Sequence, residues 1–137
     1  MARTRAVISE SNQYWISKER YYELVHFCLQ YKDWKHMYNS LDNIQMSKRL
    51  DMLPGGNEVS DPTEKIVEAK LYYRNRMEMV EEAAELADIE IKEFIVIGVT
   101  EGVSCNYLIM SKGMPCGKDK YYSAYRKFFW HLSKLRR

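Results

Sequence analysis

The stretch SCNYLIMSKGMPCGKDKYYSAYRKFFWHLSKLRR, residues 104–137, decides the fold of this chain. Ser104 can accept a backbone N–H bond as the N-cap of a short helix, and Gly113 can end that helix in the left-handed conformation. After the turn GMPCG, nothing breaks a second helix over residues 118–135. The stretch therefore predicts two helices joined by a turn that opens with glycine, which is the outline of a helix-turn-helix.

The second helix is predicted to have an apolar side and a basic side, because its apolar residues recur every three or four positions. The apolar stripe consists of Tyr121, Tyr125, Phe128, Leu132 and Leu135, with Phe129 beside it. We expect it to pack on Phe94, Ile95, Val99, Leu108, Ile109 and Met114. The opposite side carries Lys118, Lys120, Tyr122, Ser123, Arg126 and Lys127, followed by Lys134, Arg136 and Arg137. Such donors in the N-terminal half of a helix suit phosphates and base edges of a major groove.

The distribution of charge supports an anionic partner for this end of the chain. The 137 residues carry a formal net charge of +2, but residues 112–137 contain eight Lys or Arg and one acid, a net charge of +7. Residues 1–111 therefore carry −5. This polarisation is typical of a chain whose one end meets a polyanion while the rest stays soluble or contacts another protein.

The first part of the chain is predicted to form two long helices, over residues 17–43 and residues 62–87. Asp61, Pro62 and Glu64 supply an N-cap, a first helical residue and a capping-box acid for the second of them. Its apolar spacing favours an antiparallel hairpin with the first helix, and a coiled-coil dimer is the alternative. The segment between them, residues 51–61, contains Pro54 and two glycines and is predicted to be a loop.

A third helix is predicted over residues 88–101, capped by Asp88 and ended by Gly102. Its run from Ile95 to Val99 would suit a buried strand, but no second strand candidate exists for it to pair with. Residues 78–101 hold eight acids and one lysine. We interpret them as a solvated acidic face, with repulsion of nucleic acid or docking of a basic partner as alternatives.

The predicted fold is therefore all-α. Residues 1–87 form a helical hairpin for dimerisation or partner binding, and residues 88–137 form a three-helix DNA-binding unit. No apolar run approaches the roughly 18 residues of a membrane span. Because residues 1–11 also lack the apolar segment of a signal peptide, we expect a cytoplasmic protein.

Motifs of catalysis and of cofactor binding do not occur in the sequence, so we expect no enzyme activity and no cofactor. Cys28, Cys105 and Cys116 are far apart and have no histidine at metal-ligand spacing, which predicts reduced structural thiols and no metal site. Cys116 lies in a basic turn, where a lowered pKa would make a thiol reactive, and we prefer a packed turn residue.

The segment SCNYLIMSKG, residues 104–113, is similar in layout to the first helix and turn glycine of the fourth conserved region of bacterial sigma factors. More closely, residues 88–137 resemble the C-terminal half of small phage proteins of the RinA/ArpU type, which are late transcription regulators with a sigma-like helix-turn-helix. The turn is longer here, and the helix after it has two tyrosines where such helices carry Arg, Glu or Gln.

This resemblance implies a phage or prophage regulator of late genes, acting in the cytoplasm of a bacterial host. It implies double-stranded DNA contacts by Lys118, Lys120, Ser123, Arg126 and Lys127, with Ser104 or Asn106 touching phosphate. Lys134, Arg136 and Arg137 would add nonspecific attraction. Asp119 would accept from a cytosine amino group or favour the helix N-terminus. RNA polymerase and a second copy of the chain are the expected protein partners.

Two other functions stay open at this point. A small terminase subunit also joins a helix-turn-helix to helical oligomerisation segments, and a ring-shaped oligomer would favour it. A phage inhibitor that binds a host nucleic-acid enzyme, such as a CRISPR nuclease, would use the acidic segment as a nucleic-acid mimic or the basic end to hold bound nucleic acid. Stable capture of a nuclease without affinity for DNA would favour that function.

Overall fold

A computed structural model describes residues 10–43 and 62–137, and every regular element among them is a helix. The helices are α1 (Lys18–Leu29), α2 (Tyr31–Asn43), α3 (Pro62–Ala87), α4 (Lys92–Glu101), α5 (Cys105–Lys112) and α6 (Lys118–Leu135). A 3-10 turn, Ile89–Ile91, precedes α4. The all-α prediction is confirmed for these residues, and the run from Ile95 to Val99 is helical.

The predicted helix over residues 17–43 is corrected by the structure, which divides it into α1 and α2 at Gln30. The N–H of Gln30 donates to the carbonyl of Phe27 at 3.2 Å, three residues back rather than four. A bond of this kind tightens the last turn of a helix. Since neither glycine nor proline marks the position, the pattern of residue types could not show the break.

Two predicted N-caps are confirmed by side-chain hydrogen bonds. The Ser104 hydroxyl accepts from the N–H of Tyr107 at 3.1 Å and begins α5. The Asp88 carboxylate accepts from the N–H of Glu90 at 3.0 Å and begins the 3-10 turn before α4. Each bond satisfies one of the N–H groups that a helix start leaves without a partner. The predicted cap at Asp61 and the predicted loop at residues 51–61 lie outside the described residues.

Glycines end α4 and α5 as predicted. Gly102 has φ 67° and Gly113 has φ 72°, and both lie in the left-handed region that other residues rarely adopt. After Gly113, the N–H of Met114 donates to the carbonyl of Leu108 at 3.1 Å. This bond closes a loop of seven residues around the left-handed glycine, and it helps to set the direction in which the chain leaves α5.

The helices form two compact units. The first contains α1, the end of α3 from Met79, and α4 to α6. The second contains α2 and the part of α3 up to Glu78. These units are defined by packing, whereas the predicted division into residues 1–87 and 88–137 concerns function and stays a prediction.

In the first unit, α4 lies at the centre and packs against α1, α5 and α6, while α1 also packs against α6. The fully buried side chains of these four helices and the turn include Leu24, Cys28, Ile95, Leu108, Tyr121, Phe128, Phe129 and Leu132. The predicted apolar stripe of α6 is therefore buried, with Tyr125 and Leu135 half-buried at its edges. Phe94 and Ile109, which were expected in the core, are also half-buried.

The first turn of α1 holds the last turn of α6. One terminal nitrogen of the Arg20 guanidinium donates to the carbonyl of Ser133 at 3.1 Å and also to the carbonyl of Arg136. The last carbonyls of a helix have no partner within the helix, so a guanidinium from another element can satisfy them. The contact between α1 and α6 was not predicted from the sequence.

In the second unit, α2 and the first half of α3 contact each other. The ammonium of Lys70 lies 5.3 Å from the ring centroid of Tyr38, and the buried side chains include Trp34, Ile66 and Tyr73. Of the seven apolar residues predicted to form a seam on α3, Ile66, Ala69 and Tyr73 are buried and Met77 is half-buried in this unit. The other three belong to the first unit, where Val80 and Ala84 are buried and Ala87 is half-buried. This pattern confirms the amphipathic character of α3.

We predict that Gly98→Ala destabilises the protein by about 1–3 kcal/mol, the usual cost of overpacking a core. A Cβ atom at Gly98 would lie 2.1 Å from the Tyr121 hydroxyl oxygen and 3.3 Å from a methyl carbon of Leu108. Urea denaturation followed by circular dichroism measures the change. Gly117→Ala is the matched control, because a Cβ there would meet no atom within 4 Å. Equal stability of the two variants would contradict the close packing of α4 on α6.

Candidate nucleic-acid interface

The predicted DNA-contacting residues lie on α6 and just beyond its end. Lys118, Lys120, Lys134 and Arg137 are exposed, and Tyr122, Ser123, Arg126, Lys127 and Arg136 are half-buried. Lys118, Arg126 and Arg137 form no ion pair with any other residue that the structure describes. Their charges are therefore uncompensated by close carboxylates in the described part of the chain.

The buried side of α6 fixes which residues face the solvent. The hydroxyl groups of Tyr21 and Tyr125 lie 2.8 Å apart, and the ring of Phe129 lies 5.0 Å from each of the two tyrosine rings, centroid to centroid. Burial, together with the hydrogen bond to Tyr21, raises the pKa of Tyr125. A neutral, hydrogen-bonded pair in an aromatic layer restricts rotation of the helix about its axis, so the basic side has one orientation.

Tyr122 lies between the two sides of α6 rather than at the centre of the basic side. Its ring centroid is 5.1 Å from that of Tyr121 and 5.9 Å from that of Tyr125, in edge-to-face contact with both. Part of its ring is thereby packed in the aromatic layer. Its hydroxyl is the part that can reach a ligand.

Lys120 meets the acidic segment. Its ammonium lies 2.5 Å from a carboxylate oxygen of Glu90 and 4.0 Å from one of Asp88. The hydrogen bond from Lys120 lowers the pKa of the Glu90 carboxyl, and the same bond raises the pKa of Lys120. Both side chains are largely exposed, so water screens the pair and a phosphate can compete with the carboxylates for the ammonium.

Two lysines of the basic side lie over aromatic rings. The ammonium of Lys127 is 5.6 Å from the ring centroid of Tyr14, and that of Lys134 is 5.0 Å from the ring centroid of Trp130. The two rings themselves are perpendicular, with centroids 5.4 Å apart. The segment before α1 therefore reaches the basic side of α6.

The sequence interpretation did not include Tyr14 or Trp130 in the interface. A signal for Trp130 was present, since Arg126, Trp130 and Lys134 are spaced by four residues and therefore share one face of a helix. No comparable signal exists for Tyr14, which is far from α6 in the sequence.

Arg136 turns toward α1 instead of toward the basic side. Its guanidinium carbon lies 4.2 Å from the ring centroid of Phe27, and its Nε atom is buried without a hydrogen-bond partner among the described residues. Of the predicted residues, Ser123, Arg126 and Lys127 share the accessible side of α6, whereas Lys118 is exposed at its N-terminal end. Arg136 lies in the packing between α1 and α6.

The three cysteine thiols, which all lie among the described residues, do not have the pKa shift of an activated nucleophile. Burial raises the pKa of Cys28, of Cys105 and of Cys116, opposite in direction to the shift that activates a thiol. Within residues 10–43 and 62–137, no three His, Cys, Asp or Glu side chains come together as metal ligands do.

Searches of protein-family models, curated proteins and solved structures gave no match to the chain. The described helices include none that is long and apolar enough to cross a membrane.

We predict that Lys127→Gln raises the pKa of His131. Burial is the main cause that lowers this pKa, and the positive charge of Lys127 is the second. Because the folded pKa lies below the unfolded value, the His131 contribution to stability is present above a pH of about 6.5 and is lost as the pH falls below it. An NMR pH titration of the His131 ring signals measures the shift.

Lys112→Gln is the control for this titration, because it removes the same charge from α5 and should leave the His131 pKa unchanged. An unchanged pKa in Lys127→Gln would show that the Lys127 ammonium does not lie near His131.

Proposed function

We propose that α5, the turn after it and α6 bind duplex DNA as a helix-turn-helix, and that the protein is a phage or prophage regulator of late transcription. The observation that carries the proposal is the two-sided character of α6. One side is locked into the core through Tyr121, Phe128 and Phe129, and the other presents cations and hydroxyl groups over the first three turns. A helix held in this way can enter a groove without losing its packing.

The local geometry around the turn supports docking on a duplex. Gly113 and the burial of Met114 direct the chain from α5 into α6. At the start of α6, Gly117 is the N-cap and supplies no side-chain acceptor to the first N–H groups. Those N–H groups and the ammonium of Lys118 are suitable donors to a DNA phosphate.

The rest of the proposal follows from the sequence resemblance. The first 87 residues would dimerise or contact RNA polymerase, and the protein would act in the host cytoplasm. A dimer would place two copies of α6 one helical turn of DNA apart and would require a site with two-fold symmetry.

A second candidate function rests on the acidic segment. Leu86 and Ile89 are 51% and 69% exposed, and carboxylates of Glu85, Glu90 and Glu93 are exposed near them in the sequence. An apolar patch with acidic neighbours suits an inhibitor of a nucleic-acid enzyme, because carboxylates can take the place of phosphates. Such an inhibitor would form a stable complex with a purified CRISPR nuclease and would show no affinity for DNA, the reverse of a regulator.

Replacement of two cations on the basic side tests the principal proposal. We expect Arg126→Ala with Lys127→Ala to weaken binding to duplex DNA. The slope of log affinity against log salt should fall by about two, since each phosphate contact contributes about 0.9. Fluorescence anisotropy between about 50 and 200 mM salt, with DNA from the genomic neighbourhood of the gene and with random duplex, gives both quantities.

The matched control is Lys32→Ala with Lys35→Ala, which removes two exposed charges from α2. Circular dichroism should show unchanged helical content in both variants. Parental affinity and slope in the α6 variant would remove Arg126 and Lys127 from the interface, and an absence of binding by the parent protein at low salt would reject the proposal.

Removal of the carboxylate that holds Lys120 should act in the opposite direction. We expect Glu90→Gln to raise affinity for duplex DNA by about two- to fivefold, because the ammonium then meets phosphate without a competitor. Glu93→Gln removes an equal charge one turn later and should have a smaller effect, since Glu93 forms no ion pair with α6 in the described residues. Equal effects of the two changes would show that net charge, and not the Lys120 pair, determines the affinity.

A further inference from the structure

We infer that Tyr14 and Trp130, with Lys127 and Lys134, form a binding site for single-stranded nucleic acid. In this site an unpaired base stacks on an aromatic ring, and the two ammonium groups contact the flanking phosphates. The site is separate in its chemistry from the proposed duplex interface, because it recognises the faces of bases and not their edges. Its existence does not depend on a helix-turn-helix function of α6.

The two rings make a corner that can receive a planar group. Their planes are perpendicular and their centroids lie 5.4 Å apart, so an edge of one ring meets a face of the other. Both residues are half-buried and therefore keep part of their surface in contact with water. Trp15, the next residue along the chain, is 38% exposed and adds further aromatic surface beside Tyr14.

The corner is held in place from both sides. Trp130 belongs to α6, whose buried side is fixed in the core. Tyr14 lies in a turn in which Asn12 accepts two backbone hydrogen bonds, from the N–H of Tyr14 to its side chain at 2.8 Å and from that of Trp15 to its carbonyl at 3.1 Å. Rings that are ordered before binding lose little conformational entropy when a base stacks on them.

The ammonium groups of Lys127 and Lys134 indicate a negatively charged ligand. An ammonium lies over each ring, at 5.6 Å from the Tyr14 centroid and at 5.0 Å from the Trp130 centroid. Arg126 lies one turn before Trp130, and Arg137 follows two turns after it. Neither Lys127 nor Lys134 forms an ion pair with a carboxylate among the described residues, so both charges are available to a ligand.

Aromatic rings among cations on one surface suit single strands better than duplexes. In a duplex each base is covered by its neighbours, whereas an unpaired base can stack on a tyrosine or a tryptophan while its phosphates meet lysines. Stacking tolerates any base, because every base has a flat face. A base on Trp130 would displace the Lys134 ammonium from the ring, and that group then lies within reach of the adjacent phosphate.

The test compares three ligands with one another. The probes are a thymidine oligonucleotide of about 15 nucleotides, an abasic oligonucleotide of the same length, and a duplex of the same length. Tryptophan fluorescence and anisotropy follow binding to the full chain. We expect the thymidine strand to quench the fluorescence and to bind more tightly than the abasic strand, which has the same phosphates and no base to stack.

Two variants separate stacking from charge. Trp130→Leu keeps an apolar side chain against Tyr14, and it should weaken binding of the thymidine strand by about 5- to 100-fold while duplex affinity changes little. The Lys134 side chain does not pack in the core. Lys134→Gln should therefore reduce the slope of log affinity against log salt for the single strand by about 0.7. Lys32→Gln on α2 is the matched control for Lys134→Gln and should leave that slope unchanged.

The outcomes distinguish this inference from the proposed function. Equal binding of thymidine and abasic strands, or parental affinity in Trp130→Leu, would overturn the stacking site even if duplex DNA is bound. Binding of the thymidine strand that depends on Trp130, without affinity for duplex, would support the stacking site and reject the helix-turn-helix. If Trp130→Leu loses its helical content, the comparison of the thymidine and abasic strands on the parent protein decides the question.

Discussion

The hydroxyl groups of Tyr21 and Tyr125 meet at 2.8 Å inside an aromatic layer between α1 and α6, and the orientation of α6 depends on this layer. The Arg20 guanidinium, from the residue before Tyr21, donates to carbonyl groups at the C-terminal end of α6. These contacts fix the rotation of α6 and its C-terminal end. That orientation determines which cations of α6 face the solvent and which pack against α1.

Local patterns in the sequence were sufficient for the last three helices. The caps at Ser104, Gly102 and Gly113 depend on residues within one turn of each other, and the buried stripe of α6 follows from its spacing. The packing of α1 on α6 could not be predicted in this way. Tyr21 and Tyr125 are 104 positions apart, and the sequence around each residue does not identify the other as its contact. The division at Gln30 was also not predictable from the local sequence, because neither glycine nor proline marks it.

The sequence likewise predicted only part of the candidate interface. Spacing along α6 identified which residues share the basic side, but it could not show that Lys120 meets Glu90, thirty positions away, or that Arg136 turns toward Phe27. Tyr14 was not predicted because it is far from α6 in the sequence and lies beside it only in the folded protein. The periodicity of the sequence predicts which side chains share one side of a helix. It cannot predict contacts between helices, which depend on how α1, α4 and α6 pack.

The contact between Lys120 and the carboxylates of Asp88 and Glu90 changes how the charge asymmetry of the chain is understood. In the sequence the acidic and basic segments are separate blocks, yet the fold brings one end of each together. The positive potential of the basic side is therefore weakest near Lys120 and stronger toward Arg126 and Lys134, away from the carboxylates. An approaching polyanion would be drawn first to the later turns of α6.

The junction between α1 and α6 also has a consequence for synthesis on the ribosome. The helices α4, α5 and α6 are neighbours in the chain, so their mutual contacts require little loop closure and can form quickly. In contrast, α1 leaves the ribosome long before α6 is synthesised, and during that interval the apolar surface of Tyr21, Leu24 and Phe27 lacks the helix that covers it in the folded protein. A nascent chain in that state exposes an aromatic face to other molecules in the cell, so the interval before α6 emerges is when the protein is most dependent on chaperones and most prone to aggregation.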